Sequence, residues 1–182
     1  MIPLIVLGGV VLLLIWLYNG LVGLRNQVKS AWAQIDVQLK RRHDLIPNLV
    51  SAVQGYLQHE KDVLERVTAA RTRAIAAKGP AEAGAAEGAL TQAVAGLIAV
   101  VERYPDLKAS QNVLALQEEL VSTENRIGFA RQLYNDLVAR YNTRRESFPM
   151  NLVAASFGFQ ASELFQAEAA DREVPKVELG PR

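Results

Sequence analysis

The two histidines, His43 and His59, are the side chains best suited to acid–base or metal chemistry in a sequence that contains no cysteine. A helical di-iron site places a glutamate three residues before each histidine, because that spacing puts both ligands on one helix face. Lys40 and Tyr56 occupy those positions here. We therefore expect no metal ligand and no cofactor, and we place both histidines at helix ends or on solvated faces.

The sequence carries none of the usual signatures of nucleotide binding, acyl hydrolysis or zinc proteolysis. Its net charge of +1 provides no long-range attraction to nucleic acid. We expect solvated helix faces at the short basic clusters: Lys40-Arg41-Arg42, Arg71 with Arg73, and Arg144-Arg145. The sequence thus predicts neither a catalytic residue nor a nucleic-acid partner.

Polar residues are concentrated along one segment that otherwise has an apolar stripe: Glu118, Glu119, Glu124, Asn125, Arg126 and Asn135. One interpretation is a solvated surface with spaced charge pairs. In the other, Asn125 and its neighbours hydrogen-bond across a helical bundle, and buried polar groups would then need partners on a facing helix. The candidate network in that case consists of Asp44, Asn48, Glu60, Glu124, Asn125 and Arg126.

An apolar segment follows, with the large side chains Phe148, Met150, Leu152, Val153, Phe157 and Phe159. Ser147 could cap a short helix with Pro149 in its first turn, and Gly158 could end it. We expect the segment to pack on an open end of the bundle, because exposed apolar patches of this size are unusual. The alternative is a docking surface for a protein partner or the membrane, which would involve Phe148, Phe157 and Phe159.

The first 24 residues predict a transmembrane anchor. Ile2 to Leu24 contains no charged residue and would span roughly 35 Å as a helix, enough for a hydrocarbon core of about 30 Å. Trp16 and Tyr18 suit the exit interface. Arg25 and Lys29 follow the apolar run and no basic residue precedes it, so the positive-inside rule predicts a cytoplasmic C-terminal domain.

Apolar residues at spacings of three and four predict an all-α fold, in which the anchor leads into an antiparallel bundle of about four helices over residues 25–165. The anchor continues into a first helix. A second stripe runs from Ile46 to Ala74 with Asp44 as a possible cap, and the pattern leaves open whether the chain breaks or kinks near His43. The Ala/Gly-rich stretch from Ala76 to Ala89 predicts a flexible connection.

The remaining helices have clearer signals. A shorter one is expected from Leu90 to Tyr104, ended by Pro105. A heptad seam predicts the last long helix through Leu116, Leu120, Thr123, Ile127, Ala130, Tyr134, Leu137 and Tyr141. Residues 166–182 are polar and contain two prolines, which predicts a disordered tail.

Several blocks of the sequence resemble the LemA family of bacterial membrane-anchored proteins. They are Tyr18-Asn19, Leu24-Arg25-Asn26, Val28-Lys29, Ala31-Trp32, the run from Ile35 to Leu49, Gly55-Tyr56, His59-Glu60, Glu118-Glu119-Leu120, Thr123 to Ile127, Ala130-Arg131, Tyr134-Asn135, Tyr141-Asn142, Phe148-Pro149, Asn151-Leu152 and Phe157-Gly158-Phe159. The resemblance implies an N-terminal anchor in the bacterial inner membrane and a cytoplasmic helical bundle. It implies no reaction.

The sequence therefore favours a non-enzymatic, single-pass membrane scaffold whose bundle binds protein partners, including possible copies of itself. A first alternative places the domain on the outer side of the inner membrane, in envelope organisation, and a reporter fused after Arg182 would distinguish the two. A second alternative is an enzyme without a recognised signature, for which metal analysis of the purified domain is the simplest test.

Overall fold

The computed structural model describes residues 2–57 and 59–165, and within these ranges the chain forms helices and turns but no strand. In chain order the helices are α1 (Ile2–Val53), α2 (Lys61–Ala76), α3 (Gly79–Val101), α4 (Pro105–Lys108), α5 (Gln111–Glu146) and α6 (Met150–Ser156). The predicted all-α fold is confirmed. Four long helices form the bundle, and the short helices α4 and α6 complete its two ends.

The anchor and the first bundle helix are one continuous helix. α1 contains 52 residues, which corresponds to a length of about 78 Å. It passes through His43 and Pro47 without a break, because Ile46 and Leu49 on either side of the proline are buried in the core. Asp44 is an exposed residue inside this helix, so its predicted role as a cap is wrong. The chain turns only after Val53.

The Ala/Gly-rich stretch is helical, so the predicted flexible connection is also wrong beyond Lys78. Gly79 has a φ of +76°, which lets the chain turn sharply into α3, and Pro80 occupies the first turn, where its missing N–H is not needed. The Glu82 carboxylate accepts a hydrogen bond of 3.0 Å from the Lys78 backbone N–H. Alanine is the strongest helix former, so the many alanines outweigh the glycines. α3 ends at Val101, and Pro105 starts α4.

The heptad seam of α5 matches the prediction at most positions. Leu120, Thr123, Ile127, Tyr134 and Tyr141 are buried against the rest of the bundle. Leu137 is only partly buried, and the fully buried Val138 takes its place in the core. The deviation arises because a straight helix with 3.6 residues per turn drifts away from a seven-residue repeat.

The core consists of two apolar clusters, one near the anchor and one at the far end. The first cluster joins α1, α5 and α6 and extends along α1 as far as Leu39. The second begins at Ile46 of α1 and includes α2, α3 and α4. Arg42 and His43 lie between Leu39 and Ile46, so a polar layer separates the two apolar regions.

Two described helices, α1 and α3, are long and apolar enough to cross a membrane. The side chains from Ile2 to Trp16 are exposed around the whole circumference of α1, as expected of a membrane-spanning segment. In α3, by contrast, Leu90, Leu97 and Val101 are buried in the second cluster, and Glu87 forms ion pairs inside the bundle. We therefore assign α1 as the anchor and α3 as a core helix.

Candidate functional site

A polar layer connects α1, α3 and α5 at one level of the bundle. Its buried residues are Arg42, His43 and Glu87, and its exposed residues are Thr91 and Glu124. Arg42 is 3% exposed. Its Nη1 atom lies 3.2 Å from Glu87 Oε2 and 3.1 Å from Glu124 Oε2, and its Nη2 donates a hydrogen bond of 2.8 Å to Thr91 Oγ1. One guanidinium thus connects three helices, which suits its planar set of donors.

His43 completes the polar layer. Its Nε2 lies 2.6 Å from Glu87 Oε1, so the two oxygens of Glu87 contact two different residues of α1. The backbone carbonyl of His43 accepts a hydrogen bond of 2.7 Å from Arg71 Nε on α2. Every long helix therefore contributes to this layer. The expectation that Arg42 and His43 lie on solvated faces is wrong, because neighbouring carboxylate groups stabilise their burial. Arg71 is only partly buried.

The arrangement of these groups favours a structural role. The carboxylate of Glu87 is occupied by Arg42 and His43, and that of Glu124 also contacts Arg42. Among the described residues no group of three or more His, Cys, Asp or Glu side chains has a metal-binding arrangement. A buried ion pair with this many partners fixes the relative register of the helices.

The predicted polar network is only partly assembled. Glu124 crosses the bundle, but it contacts Arg42 rather than the predicted partners. Asp44, Asn48, Asn125 and Arg126 are exposed, and Glu60 lies in the turn before α2, 3.5 Å from Arg103. Their involvement in binding stays a prediction.

A second set of contacts holds the C-terminal strap, which we define as residues 159–165. The side-chain amide of Asn142 donates to the Ser162 carbonyl at 2.9 Å and accepts from the Ser162 N–H at 3.0 Å. Asn135, one heptad earlier on α5, makes the same pair of bonds with Phe165, at 3.1 and 3.0 Å. Two amides thus satisfy the backbone of a segment that has no secondary structure of its own.

Two tyrosines at the same seven-residue spacing reinforce the strap. The Tyr134 hydroxyl donates to the Glu163 carbonyl and the Tyr141 hydroxyl to the Gln160 carbonyl, each at 2.8 Å. Burial raises the pKa of Tyr134 to about 12, and the nearby Glu163 carboxylate adds to the shift. Burial also raises the pKa of Tyr141, against the opposing effect of Arg145. Both phenols therefore remain protonated donors at neutral pH.

The Tyr-Asn pairs that bind the strap are among the blocks that resemble LemA proteins, and the comparison with known families decides the assignment. The family model described as LemA family matches residues 31–179. The chain belongs to the LemA family. The resemblance seen in the sequence is confirmed. The polar layer and the strap both lie within the matched region.

Individual relatives of this LemA family protein are distant. Magnetosome protein MamQ 2 of Paramagnetospirillum magneticum is 25% identical over 179 residues, an alignment that covers 84% of this chain and 66% of that protein. Magnetosome protein MamQ of Magnetospirillum gryphiswaldense is 24% identical with the same coverage. Protein LemA of Metamycoplasma hominis is 26% identical over 158 residues, which cover 85% of this chain and 71% of that protein.

The apolar segment after α5 is divided between the core and the surface. Met150, Val153 and Phe159 are buried, whereas Phe148 and Phe157 are 80% and 63% exposed. The predicted packing on the bundle is therefore correct for one side of the segment only. Pro149, after a cis peptide bond, directly precedes α6, and Ser147 donates to the Thr143 carbonyl instead of capping α6. Gly158, with a φ of +69°, follows α6 as predicted.

Glu87 and Phe129 of this LemA family protein are not among the site residues predicted from the sequence. The sequence predicts a flexible connection at Glu87. The apolar stripe of α3, extended backwards from Leu90 in steps of three and four, nevertheless leads to Glu87 and Ala83, and this periodicity indicates a helix. Phe129 on α5 was not singled out, yet it is 75% exposed. Phe129 lies two residues after the seam residue Ile127 and therefore on another face of the helix. An aromatic residue outside the seam is the signal that could have indicated an exposed aromatic side chain.

Proposed function

We propose that this membrane-anchored helical protein is a non-enzymatic scaffold that presents a cytoplasmic bundle surface to a protein partner. The main support for this proposal is an exposed apolar groove between α1 and α5. Val37, Phe129 and Leu133 form its apolar part and are 62%, 75% and 47% exposed. Gln34, Gln38 and Arg126 lie around it.

The composition of this groove is typical of a protein-binding site. An exposed aromatic residue next to an arginine matches the residues that dominate interface energies. The groove runs between two antiparallel helices and therefore fits the apolar face of a third helix. Either another protein or a second copy of this chain could provide that helix.

Two further features support the proposal. The polar layer and the strap hold the helices in fixed positions, so the groove is preformed and binding needs little ordering of the backbone. Arg25 and Lys29, just after the anchor, favour a cytoplasmic bundle through the positive-inside rule.

We expect Phe129→Ser to weaken partner capture by more than about tenfold, because truncating a central aromatic residue of an interface costs about 2 kcal/mol or more. Tagged full-length protein, extracted from membranes in mild detergent, would be compared with the variant for every co-purifying chain and for a second, differently tagged copy. Leu114→Ser is the matched control, since Leu114 is a 48% exposed residue elsewhere on α5. Identical capture by the wild type and both variants would refute the groove as the binding surface.

A further inference from the structure

The elbow between α5 and α6 presents an apolar surface that the bundle does not use. We define the elbow surface as Phe148, Leu152 and Phe157, which are 80%, 59% and 63% exposed. The opposite side of α6 is fixed in the core, where Met150 and Val153 are buried. The elbow side chains therefore project from a rigid support rather than from a free loop.

α6 lies beside the part of α1 that leaves the membrane. Its inner side belongs to the same cluster as Leu17 and Leu21 of α1, both buried. Met150 Cε comes within 3.4 Å of the position that a Cβ atom on Gly20 would occupy, so α6 lies at van der Waals distance from α1 here. The Tyr18 ring packs edge-on against Phe157, with 4.9 Å between the ring centroids. The elbow surface is thus continuous with the exposed surface of the anchor.

The first charged residue of α1 fixes the depth of the bilayer. α1 carries no charged residue up to Leu24, and Arg25 is the first of its residues that must reach the headgroups. The edge of the hydrocarbon core therefore lies shortly before Arg25, around Leu21. Leu21 belongs to the same cluster as Met150 and Val153 and so lies at the level of α6. The acyl chains that surround this part of α1 must also meet the elbow.

The charges near the elbow match this placement. Arg25 is the first charged residue of α1, and its guanidinium carbon lies 5.0 Å from the centroid of the Phe159 ring. Arg144 and Arg145 occupy the last turn of α5, immediately before the elbow. Aromatic rings followed by basic side chains are the usual order from the bilayer interface to the headgroups.

We propose that the elbow surface is a second membrane contact, in which Phe148, Leu152 and Phe157 insert into the leaflet from which α1 emerges. The bundle is then attached to the membrane at two points. Two contacts fix the tilt of the bundle, whereas a single helix would allow it to rotate. The partner of this surface is the lipid bilayer. This proposal does not depend on which side of the membrane the bundle occupies.

The test uses spin labels on full-length protein in vesicles of phosphatidylcholine and phosphatidylglycerol, since the chain has no cysteine to remove. Leu152→Cys is compared with two other exposed leucines, Leu12→Cys in the anchor as the lipid reference and Leu114→Cys as the water reference. We expect the ratio of oxygen to nickel-chelate accessibility at position 152 to be several-fold above that at position 114 and close to that at position 12.

A ratio at position 152 equal to that at position 114 would overturn the proposal and leave a soluble partner as the occupant of the elbow surface. Leu152 is exposed, so its replacement leaves the core intact. Equal melting temperatures for the three labelled proteins would verify that the fold is unchanged. A lipid-like ratio that also appears in vesicles of phosphatidylcholine alone would support apolar insertion directly, because no net headgroup charge is then present.

Discussion

Glu87→Ala is expected to destabilise the bundle by about 3–5 kcal/mol, because it leaves the buried Arg42 charge without its enclosed carboxylate. The Arg42 and Glu87 side chains are 4% and 5% exposed, so water cannot replace the lost partner. Glu124 is 47% exposed and can only partly compensate. The same substitution removes the acceptor of His43, which is a second buried polar group. The free energy of unfolding in detergent micelles, from urea titration followed by circular dichroism, measures the effect.

The matched control is Glu119→Ala. Glu119 pairs with Arg41, the residue next to Arg42, but both side chains are more than two-fifths exposed. Exposed pairs contribute about 0–1 kcal/mol, so this loss should be small. If Glu87→Ala and Glu119→Ala lower the unfolding free energy equally, the polar layer does not hold the helices together as described. Arg42→Met combined with Glu87→Leu should recover much of the loss, since apolar replacement removes both charges.

Truncation after Ser147 is expected to abolish cooperative unfolding of the bundle. The cut removes four large buried apolar side chains, Met150, Val153, Phe159 and Phe165, together with the buried Ala154. Each of the four large side chains contributes about 1.5–3 kcal/mol, and together they approach the whole stability of a typical domain, about 5–15 kcal/mol. The asparagine and tyrosine bonds to the strap are lost at the same time.

A chain that ends at Phe165 is the control for this truncation, because it keeps every contact of α6 and the strap. Thermal melting of both truncated proteins in the same detergent would show a cooperative transition for the control only. A melting temperature for the shorter chain within a few degrees of the control, equivalent to about 1 kcal/mol or less, would contradict the assignment of α6 and the strap to the core.

The anchor and α5 could be predicted from the sequence because their signals repeat over many residues. An uncharged apolar run and a seam that continues from Leu116 to Tyr141 leave few alternatives to long helices. The seam located Tyr134 and Tyr141 in the core, as found. Leu116, Ala130 and Leu137 are only partly buried. At Leu137 the helix has drifted from the heptad repeat, so Val138 faces the core instead.

The boundaries between helices were harder to predict because local propensity and tertiary packing disagree there. Pro47 suggested a helix start, yet burial of Ile46 and Leu49 keeps α1 continuous. Gly84 suggested a loop, but in the structure it is a buried position of α3. Because the part of α3 before Leu90 was predicted to be a flexible connection, Glu87 was not recognised as the partner of Arg42.

The candidate site depended on long-range contacts that a single sequence does not reveal. Tyr134-Asn135 and Tyr141-Asn142 were visible as family motifs, but their partners are backbone atoms of an irregular segment some 20–30 residues later. The spacing of residues in the sequence does not indicate which backbone atoms an asparagine side chain will bind. The elbow surface is similar, because the pattern identified its apolar side chains but not which of them face outward.

In the arrangement we propose, one N-terminal helix crosses the membrane and the whole bundle lies on the cytoplasmic side. Glu65 on α2 and Glu118 on α5 are exposed and are separated along the chain by α3, the second apolar helix. Because the chain lacks cysteine, Glu65→Cys and Glu118→Cys can each be labelled with a membrane-impermeant maleimide. We expect both positions to react in inside-out vesicles and neither in intact spheroplasts. Labelling of both in spheroplasts would reverse the orientation, and labelling on opposite sides would show that α3 crosses the membrane.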